Sequence, residues 1–378
     1  MNLKGIIKEY SLFFISIIIA GILLNNKQDQ SPVNINNILT PIVVRVTSYP
    51  RYRGVHQEFY VQFNNNGISQ KLKLIIPVNR QININDILYI KGKIKDRYPN
   101  SFSYINNPDI VLHYKGDGLI HEISNIRTNL LTLIQDKWHG QNAALFSGLL
   151  IGADYDYSEE ITEKFKTTLT MHILVVSGFN IDFLHKIIMQ ASVMLGRRKT
   201  YLVSVCILIF YSLIVGIDNI PCQRALIMTI SAIIAKLFER RVQGLQLWGI
   251  TMIIVLLINP NNIHELSFQL SFIASFAMIC AGSLQQRLKL NWVLESLMIN
   301  LICNILMLPI IIKFGNIPSV GSLIANILIS PLIPLVIVSG LISIITSIIC
   351  VRISDMCILL TDLQLDLIFS IVTIANMI

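Results

Sequence analysis

From about residue 140 onward the chain is a succession of Ile/Leu/Val-rich runs of membrane length, separated by short basic or Asn/Pro-containing links. Hydrocarbon offers no partner to a free N–H or C=O, so such runs are expected to become helices packed on one another. Hydrophobic residues make up 53% of the 378 and charged residues 14%, against about 45–50% and about 25% in ordinary soluble domains. The expected class is a polytopic α-helical membrane protein.

One stretch departs from this pattern. Residues 165–182, Phe-Lys-Thr-Thr-Leu-Thr-Met-His-Ile-Leu-Val-Val-Ser-Gly-Phe-Asn-Ile-Asp, place His172, Ser177, Gly178, Asn180 and Asp182 inside a largely apolar run. Polar groups at membrane depth must face protein or a water-filled path. A helix interrupted at Ser177-Gly178 therefore predicts a pathway or binding site in the membrane, and points to transport rather than soluble chemistry. Arg224, after Pro221-Cys222-Gln223 at a helix start, is paired, exposed to water, or snorkelling at the outer end. Gln269 begins another helix with His264, Glu265, Ser267 and Ser271 nearby, where interhelical hydrogen bonding accounts for it as well as function does. The acidic run Asp154, Asp156, Glu159, Glu160 and Glu163 is explained in part by the preference of carboxylates for helix starts.

Before this membrane part the texture differs. Ile6 to Leu24 is apolar, with Lys4 and Lys8 at its start and no small-residue cleavage site before Asn25, so residues 1–24 are expected to be a retained helix with a cytoplasmic amino terminus, a signal peptide being the alternative. Residues 25–120 would then form an extracytoplasmic domain. Pro41 to Ser48, Val55 to Phe63, Ile68 to Ile76, Asp86 to Lys95 and Asp109 to Tyr114 are β-rich, and Asn64-Asn65-Asn66-Gly67 is a hairpin signal. Five short strands fit a small antiparallel barrel such as an OB-fold, with a sandwich fragment as the alternative.

Between residues 25 and 138 lie fourteen Lys/Arg and eight Asp/Glu, an excess of six of the chain's net +8. If Asp86 to Lys95 is one strand, Lys91, Lys93 and Lys95 share a face, as do Lys71 and Lys73 on the strand before it. That face suits a phosphate backbone, with Tyr49, Tyr52, Phe59, Tyr60 and Phe63 as stacking surfaces. The plainer reading is a solvated face beside anionic lipid, with the aromatics in the core. Residues 121–140 read as an amphipathic connecting helix, with Ile123, Ile126, Leu130, Leu133 and Ile134 on its apolar side and Trp138 as an interface anchor. A multi-helix domain over 141–378 follows. Three basic links, Arg197-Arg198-Lys199, Arg240-Arg241 and Arg287 with Lys289, fall on one face when its helices alternate in direction.

The six cysteines have no zinc spacing, and neither a Walker A nor a Gly-rich nucleotide loop is present. No metal or cofactor is expected, and any ATP-driven motor would be a separate protein. A hydrolase built from His172, Ser177 and Asp182 is disfavoured, because five-residue spacing along a helix points side chains to different faces. A small-solute or ion transporter is the stronger rival, since discontinuous helices with buried polar groups serve many such proteins.

Four ordered stretches carry a family likeness. They are Leu149–Gly152 leading through Ser158–Phe165 to His172–Gly178, then Gln223–Met228, then Asn259-Pro260 with Leu266–Phe272, and finally Leu308-Pro309 with Phe314-Gly315, Asn326 and Ser330-Pro331. This set resembles the ComEC family, the membrane channel of bacterial competence that admits single-stranded DNA. The resemblance implies a channel core from about residue 140, an OB-like outer domain, single-stranded DNA and the lipid bilayer as partners, and location in the bacterial cytoplasmic (inner) membrane. It also implies separate DNA-receptor and nuclease proteins, and is compatible with a homo-oligomer. Family members commonly have a second histidine where this chain has Asn180 and a glycine where it has Asp182. Many carry a carboxy-terminal metallo-β-lactamase-like domain, whose H-x-H-x-D-H pattern does not occur here. The expectation is therefore a non-enzymatic channel core without the nuclease, with a reduced, non-conducting relative as the alternative.

Overall fold

The computed structural model describes residues 11–25, 38–65, 68–78, 80–95, 104–155, 157–174, 176–216, 218–240, 243–288, 292–313 and 319–377. They fall into two compact units: Met1–Lys27 with Ser158–Ser212 and Asn219–Ile378, and Gln28–Tyr157 with Leu213–Asp218.

The second unit is built on a curled sheet. Its strands are β1 (Ile38–Val46), β2 (Arg51–Arg53), β3 (His56–Asn65), β4 (Ile68–Pro77), β5 (Ile87–Gly92), β6 (Ile94–Lys95), β7 (Tyr104–Asn106) and β8 (Asp109–Tyr114). The order is β6-β7-β4-β3-β1-β5-β8, with β2 on β3. Alternation along each strand puts Val44, Val46, Phe59, Val61, Phe63, Leu72, Leu74, Ile76, Leu88, Ile90 and Ile105 into one core. The β3–β4 ladder runs to Asn65↔Ile68, as the Asn-Gly signal predicts for the hairpin.

The run expected as a single strand from Asp86 to Lys95 is two strands. β5 pairs with β1 and β8, whereas β6 pairs with β7 at the far end of the order, and only Lys93 separates them. Strands adjacent in the chain thus lie at opposite ends of the sheet, which brings those ends together and makes the domain OB-like. Gly92 permits that closure, because a Cβ there would lie 2.6 Å from the Ile105 side chain.

Two helices complete this unit, α2 (Leu119–Lys137) and α3 (Gly140–Ile151); the label α1 is kept for Ser11–Asn25. The buried side of α2 is His121, Ile123, Ser124, Arg127, Leu131 and Ile134, while Ile126 is exposed. The apolar stripe read from sequence was therefore rotated, because it left out Arg127. Trp138 is no interface anchor either. It is fully buried, with its ring centroid 4.6 Å from that of Phe146 on α3.

Arg127 binds two helix ends. Its Nη1 donates to the Ile151 carbonyl at the end of α3, and to the carbonyls of Ile214 (2.5 Å) and Val215 (3.3 Å). The guanidinium lies 4.2 Å from the centroid of Tyr49, whose hydroxyl donates to the Leu213 carbonyl at 3.0 Å. Helix C-termini leave carbonyls without intrahelical partners and favour positive charge, which explains an arginine in this place.

The first unit is helical. It contains α1, α4 (Glu159–Thr167), α5 (Gly178–Gln190), α6 (Ser192–Leu195), α7 (Arg197–Val215, whose last residues belong to the β unit) and α8 (Ile220–Leu237). Then come α9 (Gly244–Ile258), α10 (Leu266–Leu288), α11 (Trp292–Lys313), α12 (Val320–Ile329), α13 (Leu332–Ile349) and α14 (Val351–Ala375). Among the described residues, four spans are long and apolar enough to cross a membrane: Arg197–Val215, Ile220–Leu237, Val320–Ser347 and Val351–Ala375. Gly244–Ile258, Leu266–Gly282 and Met298–Ile312 are shorter apolar helices.

Packing follows the sequence logic. Trp248 of α9 donates its indole N–H to the Phe272 carbonyl at 2.9 Å, and Phe13 of α1 stacks on Phe276 of α10. Polar side chains tie α13 to α14, with Thr361 donating to Ser339 at 2.9 Å and Ser354 to the Ser343 carbonyl at 2.9 Å. Arg198 at the start of α7 and Glu239 just beyond α8 come within 4.0 Å, so both lie at one end of the unit, as the basic-link argument requires.

Candidate functional site

A helix begins at Ser177-Gly178, where an interruption is predicted, but the described residues just before it form a short turn and not the other half of a broken helix. After α4 the chain makes a short 3-10 turn, Met171–Ile173, and α5 starts at Gly178 with Ser177 in extended backbone as its N-cap. The Ser177 side chain makes no capping hydrogen bond. The Asn180 amide donates to the Ser177 carbonyl at 3.2 Å, while the Gly178 and Phe179 amides precede any intrahelical acceptor, so this start is electropositive.

Arg224 lies against it. The first turn of α8 is capped by Asn219, whose side chain accepts from the Cys222 amide at 2.9 Å, and Pro221 occupies a favoured early position. This fixes the direction in which Arg224 leaves the helix. A Cβ at Gly178 would be 2.6 Å from Arg224 Nη2, 3.1 Å from Ala225 Cβ and 3.2 Å from the Pro221 carbonyl. A side chain at 178 would therefore push the tip of the guanidinium aside. Arg224 is 8% exposed, so snorkelling does not describe it. Its Nε donates to Ser271 Oγ at 2.9 Å and its Nη1 points at the Met228 sulfur at 3.8 Å. Among the described residues Nη2 has no hydrogen-bond partner.

The remaining polar groups of α5 find separate partners. Asn180 is buried and donates to the Tyr211 hydroxyl of α7 at 3.1 Å. Asp182 is exposed on the helix and accepts from Thr229 of α8 at 3.2 Å. It acts electrostatically on Arg224 without an ion pair between them among the described residues. One turn further, His185 meets Ser204 of α7 at 2.7 Å. α5 thus carries a polar side from Gly178 to His185, facing α7 and α8.

His172 and Gln269 stand apart from this group. His172 is on the 3-10 turn, its Nδ1 3.2 Å from the Leu169 carbonyl, and Gln269 donates to the Ile263 carbonyl at 2.9 Å. Both satisfy local backbone. Asp154 of the acidic run belongs to the β unit, where it pairs with Arg53 through two bonds at 2.9 and 3.0 Å. Ser271, read from sequence as an interhelical hydrogen-bonding residue, does bond across helices, to Arg224, whereas sequence reasoning missed Tyr211, Thr229 and His185. Their signal was one polar residue among several scattered along an apolar helix, which is common in membrane helices and acquires meaning only from what it faces.

On the β unit, Lys73 is registered with Tyr60 on one side and Tyr104 on the other, and Tyr104 with Lys95, so these four form one row across the sheet. Lys71 stands opposite Gln62 in the next row. Lys73 pairs with Glu58 at 2.5 Å, and Arg51 lies 5.9 Å from the Tyr60 ring centroid. Lys91 and Lys93 are exposed, Lys91 on β5 opposite Asp109. The lysines therefore spread over several strands.

The sequence profile of a family described as "Competence protein" matches residues 149–378, which holds the start of α5, Arg224 and the whole α7–α14 series. The chain belongs to the competence protein family. ComE operon protein 3 of Bacillus subtilis (strain 168) is 23% identical over 222 residues, covering 58% of this chain and 28% of that protein. The chain thus matches less than a third of that relative's length. No solved structure matches it significantly. In this competence protein the matched region begins inside α3, so the β unit's sheet lies outside it.

Proposed function

We propose that this competence protein is a component of the membrane channel that passes single-stranded DNA across the cytoplasmic membrane during DNA uptake. The observation that carries the reading is a nearly buried arginine set against the start of α5, inside the region that matches the competence family. Such a start and a guanidinium both favour the phosphates of a strand. Gly178, Asn180, Asp182 and Arg224 are the path residues of this reading, with Ser177 at the helix start. His172 and Gln269 shape the backbone beside it.

In this account the amino terminus is cytoplasmic and the β domain extracytoplasmic in the inner membrane. The row holding Tyr60, Lys73, Tyr104 and Lys95, with Lys71, Lys91 and Lys93 around it, guides the phosphate backbone and stacks bases. The strand reaches it through a separate receptor and nuclease, and a separate motor draws it in.

The test is DNase-protected uptake of labelled DNA in three strains: gene deleted, gene restored, and gene restored with Arg224→Gln at matched membrane levels. Uptake lost on deletion and regained only with the intact gene supports the reading. Uptake indifferent to deletion, in cells shown to be competent, sinks it and leaves solute or ion transport as the account of the helical unit.

A further inference from the structure

The geometry points to a seat for a phosphodiester monoanion at the start of α5, formed by Arg224 and the amides of Gly178 and Phe179, in which Asp182 is a built-in competitor for the bound anion. Two independent features meet there. The first is the start of a thirteen-residue helix whose N-cap side chain makes no capping bond. The second is a side chain more than nine-tenths buried, with a terminal nitrogen that has no hydrogen-bond partner among the described residues and lies against Gly178. A charge in such surroundings is costly without a counter-charge. An anion bridging Nη2 and the helix start would supply one, and the planar guanidinium suits the paired oxygens of a phosphodiester.

Asp182 sets the strength of this seat. It lies one helical turn beyond Gly178, held by Thr229, and acts electrostatically on Arg224 without an ion pair among the described residues. With the seat empty, the carboxylate offsets part of the arginine's charge. With a phosphate seated, it repels that phosphate. A strand that must move on needs this balance, because conduction requires binding firm enough to enter and weak enough to leave. The seat itself needs only these residues; that its natural ligand is a DNA phosphate rests on the strand-passage reading above.

The experiment uses the full chain purified in detergent, with dimethyl phosphate as the probe and thermal stabilisation as the readout. Chloride at equal ionic strength is the control. Stabilisation of the unaltered protein should saturate with dimethyl phosphate. Asp182→Asn should tighten the apparent Kd about tenfold, as expected for removing one nearby like charge at an intermediate dielectric. Arg224→Gln should abolish the saturable part. Gly178→Ala, whose methyl displaces the guanidinium, should weaken it severalfold. If Arg224→Gln does not fold, Arg224→Lys takes its place; it keeps the charge, loses the planar fork, and should bind more weakly than the unaltered protein. No saturable effect in the unaltered protein, or the same curve in all variants, overturns the proposal.

The strain comparison keeps the two readings apart. Saturable binding that depends on Arg224, in a chain whose deletion leaves uptake intact, preserves the seat and removes the DNA function. Uptake that needs the chain, with dimethyl phosphate curves unmoved by Arg224→Gln and Asp182→Asn, preserves the function and removes the seat.

Discussion

Replacing Arg127 with alanine would test what holds residues 213–215 inside the β unit. In the folded protein one nitrogen of Arg127 serves carbonyls at the ends of two helices, and the guanidinium covers Tyr49. A hydrogen bond from a charged donor contributes about 1.5–3 kcal/mol net, and the ring contact about 1–2 kcal/mol when desolvated. These contributions share one side chain and are not additive. Losing them leaves buried helix-end carbonyls unpaired, so the expected cost is about 3–5 kcal/mol. In a unit of this size that corresponds to a fall of roughly 10 °C or more in melting temperature. Arg127→Lys keeps the charge, yet a single ammonium cannot both reach the carbonyls and cover the ring, so about half the loss should remain. Thermal unfolding of the purified protein would give the totals. Hydrogen exchange would localise the effect, with amides of residues 213–216 losing protection before those of β3 and β4. A change below about 1 kcal/mol for Arg127→Ala, or no exchange difference at 213–216, would refute the reasoning.

Other consequences are as specific. Gly92→Val should disrupt closure of the sheet between β5 and β7, because its side chain would collide with Ile105; loss of cooperative unfolding by circular dichroism would report it. Trp138→Ala should cost about 3–5 kcal/mol by thermal unfolding, as an aromatic side chain is removed from a fully buried place against Phe146. Reversing Lys73, Lys91 and Lys93 to glutamate should weaken oligonucleotide binding and flatten its dependence on salt; an unchanged salt titration would dismiss the guiding row. Burial, with Tyr52 beside it, pushes the Tyr155 hydroxyl up to about 12. The folded state therefore keeps a proton that the unfolded chain releases near pH 10. Stability should be intact below that and fall as pH rises toward 12, and Tyr155→Phe should lessen the fall.

Much of the helical unit was legible in the sequence, because a membrane leaves few alternatives to an apolar run. The helices from α7 to α10 begin and end within a few residues of their hydrophobic limits, and α5 starts at Gly178, where polar residues interrupt an apolar run. The strands were legible where alternation is strong, as in β3 and β4. The short strands β2 and β7 were not, since three residues carry almost no periodic signal. Lys91, Lys93 and Lys95 looked like one face because alternation was read through Gly92, whose lack of a side chain marks the end of β5. Arg127 was hidden by its charge: a residue that reads as exposed is buried because two helix ends need its protons. At the site, Arg224 and Gly178 were each visible alone. Their contact was not, since 46 positions separate them and only the packing of α5 on α8 brings them together.

A DNA strand crossing the membrane through this protein would pass the start of α5. A photoreactive phenylalanine analogue in place of Phe179, whose ring is exposed beside Gly178, can capture whatever moves past it in competent cells supplied with labelled DNA. A second strain would carry it in place of Leu359 on α14, which is exposed elsewhere in the helical unit. The account predicts light-dependent capture of labelled single strand at position 179, lost with Arg224→Gln, and none at position 359. Capture absent at 179 while uptake proceeds, or equal at both positions, would contradict it.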